Sequence, residues 1–174
     1  MTTLRELTCD RWTAHNPALD TTPMQVVAQI KRIAALLDLA VESLYATADL
    51  TSAEVGLLVP LRYAEGTLTA IRLAEHLNMT RAGVSKTLTK LERRGLLSRH
   101  PNPADRRSAL LRLTPEGIRL IDDVFPRELH AHGELFTGLG RNRTHVLDAL
   151  ELLARSMESG LEPGQTTLES PSTR

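Results

Sequence analysis

Aromatic side chains are scarce here: two Phe, two Tyr and one Trp among 174 residues. A core so poor in rings has to be assembled from Leu, Val, Ile and Ala, which suits helices packed on helices. Cys9 is the only cysteine, which excludes an intrachain disulfide and gives no sign of an oxidising compartment. The opening residues, MTTLRELTCDRW, lack the apolar core of a signal peptide. No apolar run approaches the ~20 residues that a membrane span requires. A cytoplasmic protein that does not enter a membrane is therefore expected. A nucleophile–base pair, a phosphate-cradling loop and a metal-ligand spacing are all missing as well, so neither catalysis nor a cofactor is expected.

Net charge is also absent, but only as a sum. Residues 66–113 carry 10 Lys+Arg against 3 Asp+Glu, a net of +7, and the rest of the chain carries 11 against 18, a net of −7. One surface suits phosphates and the remainder does not. The length allows one domain with arms and a substantial core.

What is present centres on Leu68 to Thr114, LTAIRLAEHLNMTRAGVSKTLTKLERRGLLSRHPNPADRRSALLRLT. Thr69 caps one short helix, with Ile71, Leu73, Ala74 and Leu77 inward. Asn78 suits a left-handed stop. Thr80 caps the next helix, which runs from Arg81 to about Arg94 and ends at Gly95. So tight a turn makes the two helices cross steeply, as in a helix-turn-helix. Leu96–His100 and Ser108–Leu113 read as strands around a turn-rich tip, with Ala109, Leu111 and Leu113 sharing the buried face. Together these elements predict a mainly α (α+β) fold containing a winged helix-turn-helix.

The flanking segments read as helices. A short one is expected within an N-terminal arm, ending before Pro17. A long one starts with Thr22 as cap and Pro23 at its first position, and it carries Val26 or Val27, Ile30, Ile33, Leu37, Val41 and Leu44 to about Ala46. That stripe covers six turns, more than a small core needs, so part of it is expected to face a partner. Thr51 and Glu54 form a capping box ahead of Val55, Leu58 and Leu61, with Pro60 expected to kink or shorten that helix and Glu65-Gly66 to end it. Thr114-Pro115-Glu116-Gly117 starts a helix expected to reach about Leu139. A last helix follows from about Arg143 to Ser159, with Val146, Leu150, Leu153 and Met157 inward.

The helix from Arg81 carries the candidate chemistry. At about 100° per residue, Val84, Leu88 and Leu91 form the buried stripe. Ala82, Lys86, Thr89 and Arg93 point the opposite way, flanked by Ser85 and Lys90. Small residues allow close approach to a groove, and hydroxyls and cations meet base edges and phosphates. Thr80 and Arg81 at the helix start can reach the groove edge. At the hairpin tip, Arg106 and Arg107 suit the adjacent minor groove, and Asp105 is expected to orient an arginine through a paired hydrogen bond. Arg99 and Arg112, on the strands, read as flank solvation or backbone contacts.

LAEHLNMTRAGVSKTLTKLERRGLLSR followed by NPADRRSALLRLTPEG resembles the MarR family of bacterial transcription regulators, over about Pro23 to Ser159. The resemblance implies an obligate homodimer on a pseudo-palindromic operator in double-stranded DNA, one winged segment per half-site. It gives residues 1–22 as an arm, 23–50 as a dimerisation helix and 51–114 as the DNA-binding domain. Residues 115–159 become further dimerisation helices, and 160–174 read as a disordered tail. It matches Asp105 and Arg107 to the family's wing pair. It also implies a repressor modulated by a small aromatic or phenolic effector, for which Trp12, Tyr45, Arg62 and Tyr63 are candidates. The arm with Trp12 resembles the urate-responsive branch, but that branch carries an acid where Gly56 aligns here, which disfavours urate. Cys9 reads as a bystander thiol. His130 and His132, two residues apart, fall on different helix faces, so neither they nor His145 are expected to bind metal. The alternative is an architectural protein that binds DNA with little sequence preference and without an effector.

Overall fold

A computed structural model describes residues 4–64 and 68–161. The expected stop at Glu65-Gly66 lies outside the described residues, as does most of the expected tail. The chain divides into two compact units, residues 1–134 and 135–174.

In the first unit, α1 (Leu4–His15) is followed by α2 (Thr22–Ala48), α3 (Ser52–Arg62), α4 (Ala70–His76) and α5 (Arg81–Arg93). Strands β1 (Leu97–Pro101) and β2 (Ala109–Leu113) come next, and then α6 (Pro115–Leu135). The strands pair antiparallel, Leu97 opposite Leu113 and Arg99 opposite Leu111. Ahead of α4 the chain lies along β2: the Leu111 amide donates to the Leu68 carbonyl at 2.9 Å, and Thr69 bridges Leu110. That extra pairing explains one departure from the expected alternation. Leu110 and Leu111 are both buried, where only one face of β2 was expected inward.

Most local signals act where expected. Thr51 and Glu54 form the capping box, and Thr69 and Thr80 accept from Arg72 N and Gly83 N. Asn78 turns the chain at φ 50° and Gly95 at φ 71°. The cap of α2 falls one residue early, at Thr21, whose own hydroxyl does not cap. Asp20 Oδ1 instead accepts the Thr22 amide at 2.9 Å. α3 ends at Arg62, two residues past Pro60.

The core joins Val84, Leu88 and Leu91 of α5 to Leu57, Leu58 and Leu61 of α3, Leu73 of α4, and Ile121 and Val124 of α6. Each fully buried aliphatic side chain contributes about 2 kcal/mol. Ile71, expected inward, is exposed. The short α4 buries Leu73 and Ala74, with Ala70 partly buried against the core. On α2 only Val41, Leu44 and Tyr45 are buried, whereas Val26, Val27, Ile33, Leu36 and Leu39 stay exposed.

The second unit holds a 3-10 turn (Thr137–Asn142) and α7 (Arg143–Leu161). The helix expected to reach Leu139 thus stops at Leu135, and Gly140 breaks the turn at φ 50°. α7 extends through Gly160 and Leu161, two residues expected in the tail. It buries none of its residues within the chain, and its expected inward face includes the exposed Leu150 and Met157. Among the described residues, no helix is long and apolar enough to cross a membrane.

At Gly117 in the first turn of α6, a Cβ would overlap the Leu96 carbonyl oxygen. A Gly→Ala change in a helix ordinarily gains up to about 1 kcal/mol. Here Gly117→Ala is expected to reverse that sign and lower the denaturant midpoint, because backbone occupies the space.

Candidate functional site

On α5 one face is committed to the core and the other is free. Val84, Leu88 and Leu91 are fully buried, while Arg81, Ser85, Lys86, Thr89 and Lys90 are exposed. The Thr80 hydroxyl caps the start of α5 at 3.2 Å from Gly83 N, which fixes the end that Arg81 extends from. Thr89 Oγ1 donates to the Ser85 carbonyl at 2.9 Å and so keeps its lone pairs for an outside donor.

The cations on this helix fall into two groups. Glu54, with a side chain only 1% exposed, lies on α3 beneath the C-terminal half of α5. Its Oε1 meets Lys90 Nζ at 3.1 Å and Arg94 Nη1 at 3.1 Å, and Arg94 also reaches Asp49 at 3.2 Å. Its Oε2 accepts from the Thr51 amide and hydroxyl, both at 2.9 Å. Burial opposes charge on Glu54, but the hydrogen bonds from Thr51 and Lys90 outweigh it and hold the pKa below its ordinary value. Lys90 and Arg94 therefore serve to hold α5 on α3, and Arg99 pairs with Glu92 at 3.0 Å. Arg81 reaches Glu75 only at 3.5 Å, with both side chains exposed. Lys86 and Arg93 make no ion pair among the described residues, and they lie on the outward face.

The wing tip is braced from within. Asn102, buried between the strands, donates to Ser108 Oγ at 2.8 Å and accepts the Ala104 amide at 3.0 Å. Ser108 Oγ donates on to the Asp105 carbonyl at 3.2 Å. Asp105 does not hold a guanidinium as expected: its Oδ1 accepts the Arg107 backbone amide at 3.0 Å and so shapes the turn. A carboxylate two residues upstream is better placed for that amide than for a long side chain. Arg106 and Arg107 are left exposed without ion pairs among the described residues. No sequence pattern singled out Asn102 or Ser108.

The four ligand candidates do not converge. A cleft of about 450 Å³ opens among α2, α3 and α6, with Tyr45 in its wall together with Leu37, Val41, Val55, Val59 and Phe125. Gly56 and Pro60 also line it. Burial first, and then the nearby Glu128 carboxylate, raise the Tyr45 pKa. Trp12 stands apart on α1, half exposed, beside Arg11, His15 and Asn16. Arg62 is already satisfied: its Nε and Nη2 grip Asp122 at 2.6 and 2.8 Å, and its guanidinium covers the Tyr63 ring at 4.4 Å. This two-point ion pair joins α3 to α6 and takes both residues out of the cleft. Asp38, Glu128 and His132 also line the cleft and were not foreseen as ligand groups. Among the described residues, no group of three or more His, Cys, Asp or Glu could hold a metal ion.

A MarR family model matches residues 48–108, which contain α3, α4, α5 and most of the wing. Over that segment the chain is similar to the MarR family. It is also similar to the HTH-type transcriptional regulator PecS of Dickeya dadantii. The two are 27% identical over 139 residues, 78% of this chain and 84% of that protein. The transcriptional repressor CouR, solved bound to a 23-mer DNA duplex, is 26% identical. It superposes with a TM-score of 0.64 over 82% of this chain and 96% of that one. BpsR of Bordetella bronchiseptica, whose DNA binding is regulated by 6-hydroxynicotinic acid, is 25% identical. Its TM-score is 0.66 over 75% of this chain and 98% of that one.

The Glu54 network yields a pH test. The Glu54 pKa is depressed in the folded state, so its contribution is complete above the unfolded value of 4.5 and is lost as pH falls through the folded value. Glu54→Gln is expected to cost about 2 kcal/mol at neutral pH, the scale of hydrogen bonds to a charged group. Denaturant titration below pH 4.5 should show the variant losing less further stability than the parent.

Proposed function

We propose that this chain acts as a homodimeric, sequence-specific repressor of the MarR family whose operator affinity is modulated by a small aromatic or phenolic molecule. The observation that carries the DNA reading is the division among the cations. Lys90, Arg94 and Arg99 are spent on carboxylates. Lys86 and Arg93 on α5, and Arg106 and Arg107 on the braced wing, are left for phosphates and base edges. Ser85 and Thr89 share the free face, Thr80 and Arg81 the helix end, and Asp105 sets the wing. CouR on its duplex supports this use of the fold.

Dimerisation is supported by apolar residues that the chain leaves uncovered: Val27, Ile33, Leu36 and Leu39 on α2, Leu129 on α6, and Leu147, Leu150 and Leu152 on α7. In this reading residues 23–50 and 115–159 pair two copies, and the two α5 helices lie one DNA turn, ~34 Å, apart. An effector in the α2–α3–α6 cleft shifts the population away from the DNA-competent spacing by no more than its differential affinity for the two states. BpsR, whose DNA binding is regulated by 6-hydroxynicotinic acid, supports a small aromatic effector.

Lys86→Ala should weaken operator binding while the dimer persists in sedimentation. Arg107→Ala should also reduce the slope of log K against log salt by about one, the signature of one lost phosphate contact. Lys90→Ala should lower stability more than it lowers affinity. Operator binding unchanged in both Lys86→Ala and Arg107→Ala contradicts the interface. A ratio of specific to competitor binding near one would favour an architectural protein instead.

A further inference from the structure

We propose that the α2–α3–α6 cleft takes an organic cation, a flat apolar body bearing a protonated amine or amidine head. The inference rests on the effector reading above and names the charge of the molecule that reading requires.

The apolar body has a place. Val41, Val55 and Phe125 form walls, and Gly56 presents no side chain, with nothing within 4 Å of where its Cβ would stand. A ring can therefore lie close against α3. The head has a place too, and its charge is decided by what lines it. Asp38 and Glu128 contribute carboxylates, Tyr45 a phenol and His132 an imidazole, and no Lys or Arg is among the cleft residues. Arg62, the cation foreseen as a ligand group, is held by Asp122 through its Nε and Nη2.

Among the described residues, two buried atoms in this wall, Glu128 Oε2 and His132 Nε2, have no hydrogen-bond partner. Their mutual approach is poor, since His132 Nδ1 stands 3.9 Å from Glu128 Oε1. A buried acceptor without a donor is costly, and one charged carboxylate more so. An ammonium or amidinium group supplies both missing elements: N–H donors for Glu128 Oε2, and positive charge opposite Asp38 and Glu128. An aromatic carboxylate meets the Asp38 and Glu128 carboxylates with no Lys or Arg in the lining to offset them, so this cleft disfavours it. A ring bearing a carboxylate adds a like charge beside Glu128, and a neutral phenol offers it a donor without the opposite charge.

Isothermal titration of the full-length dimer with three probes of one shape tests this: 2-naphthylmethylammonium, 2-naphthol and 2-naphthoate. The ammonium should bind at least tenfold more tightly than the naphthoate. Glu128→Gln should remove most of that preference and Asp38→Asn part of it, with naphthol binding retained as proof of an intact cleft. Gly56→Phe, which fills the wall, should abolish binding of the ammonium. Naphthoate binding as tight as the ammonium, no binding of the ammonium, or an advantage unchanged in both carboxylate variants overturns the inference. Parallel operator titrations separate it from the effector reading. If the ammonium binds in the cleft and leaves operator affinity unmoved, the cleft chemistry stands and the effector reading fails. If naphthoate moves operator affinity and the ammonium does not, the effector reading stands and this inference fails.

Discussion

Glu54 sits at the start of α3 with almost no exposure to water, and an ionised carboxylate cannot stay there alone. Thr51 satisfies one oxygen from the same helix end. Lys90 and Arg94 satisfy the other from α5. The consequence is positional. The last turns of α5 are pinned to the first turn of α3, while Val84, Leu88 and Leu91 fix the rotation of α5 about its axis. With rotation and height both set, the outward face is determined: Lys86 and Arg93 project from it, along with Ser85 and Thr89. Two cations are consumed so that two others can be aimed.

The same helix, α3, joins the two candidate sites. One of its faces carries Val55, Gly56, Val59 and Pro60 into the cleft, and its first turn carries Glu54 to α5. Its far end is tied to α6 through Arg62 and Asp122. A molecule that displaced α3 would have to carry Glu54 with it, and with Glu54 the end of α5. Coupling between the sites therefore needs no long chain of contacts. It requires only that α3 have two positions, with the cleft occupant and the DNA preferring different ones.

Much of this was legible in the sequence wherever the governing interaction is local. Thr51 and Glu54 stand three residues apart, Thr80 caps its own helix, and Asn78 and Gly95 meet backbone angles that few residues accept. The 3.6-residue spacing of Val84, Leu88 and Leu91 identified both faces of α5. What could not be read depends on partners far along the chain. Nothing near Lys90 marks it as a mate for Glu54, so it reads as one more outward cation. Arg62 finds Asp122 sixty residues away, which removed a presumed ligand group. Gly117 looks like part of a helix-start pattern, yet its role is to admit the Leu96 carbonyl. Glu128 and His132 acquire meaning only once α2 and α3 close a cleft around them. On α7, Leu150 and Met157 stand at helical spacing yet are exposed.

The most direct test of the account is a crystal structure of the dimer on its operator. Lys86 and Arg93 should lie against the major groove and its phosphates and Arg106–Arg107 against the neighbouring minor groove, with Lys90 and Arg94 still on Glu54. A complex in which Lys90 leaves Glu54 for a phosphate, or in which the Lys86 face turns away from the DNA, would contradict it.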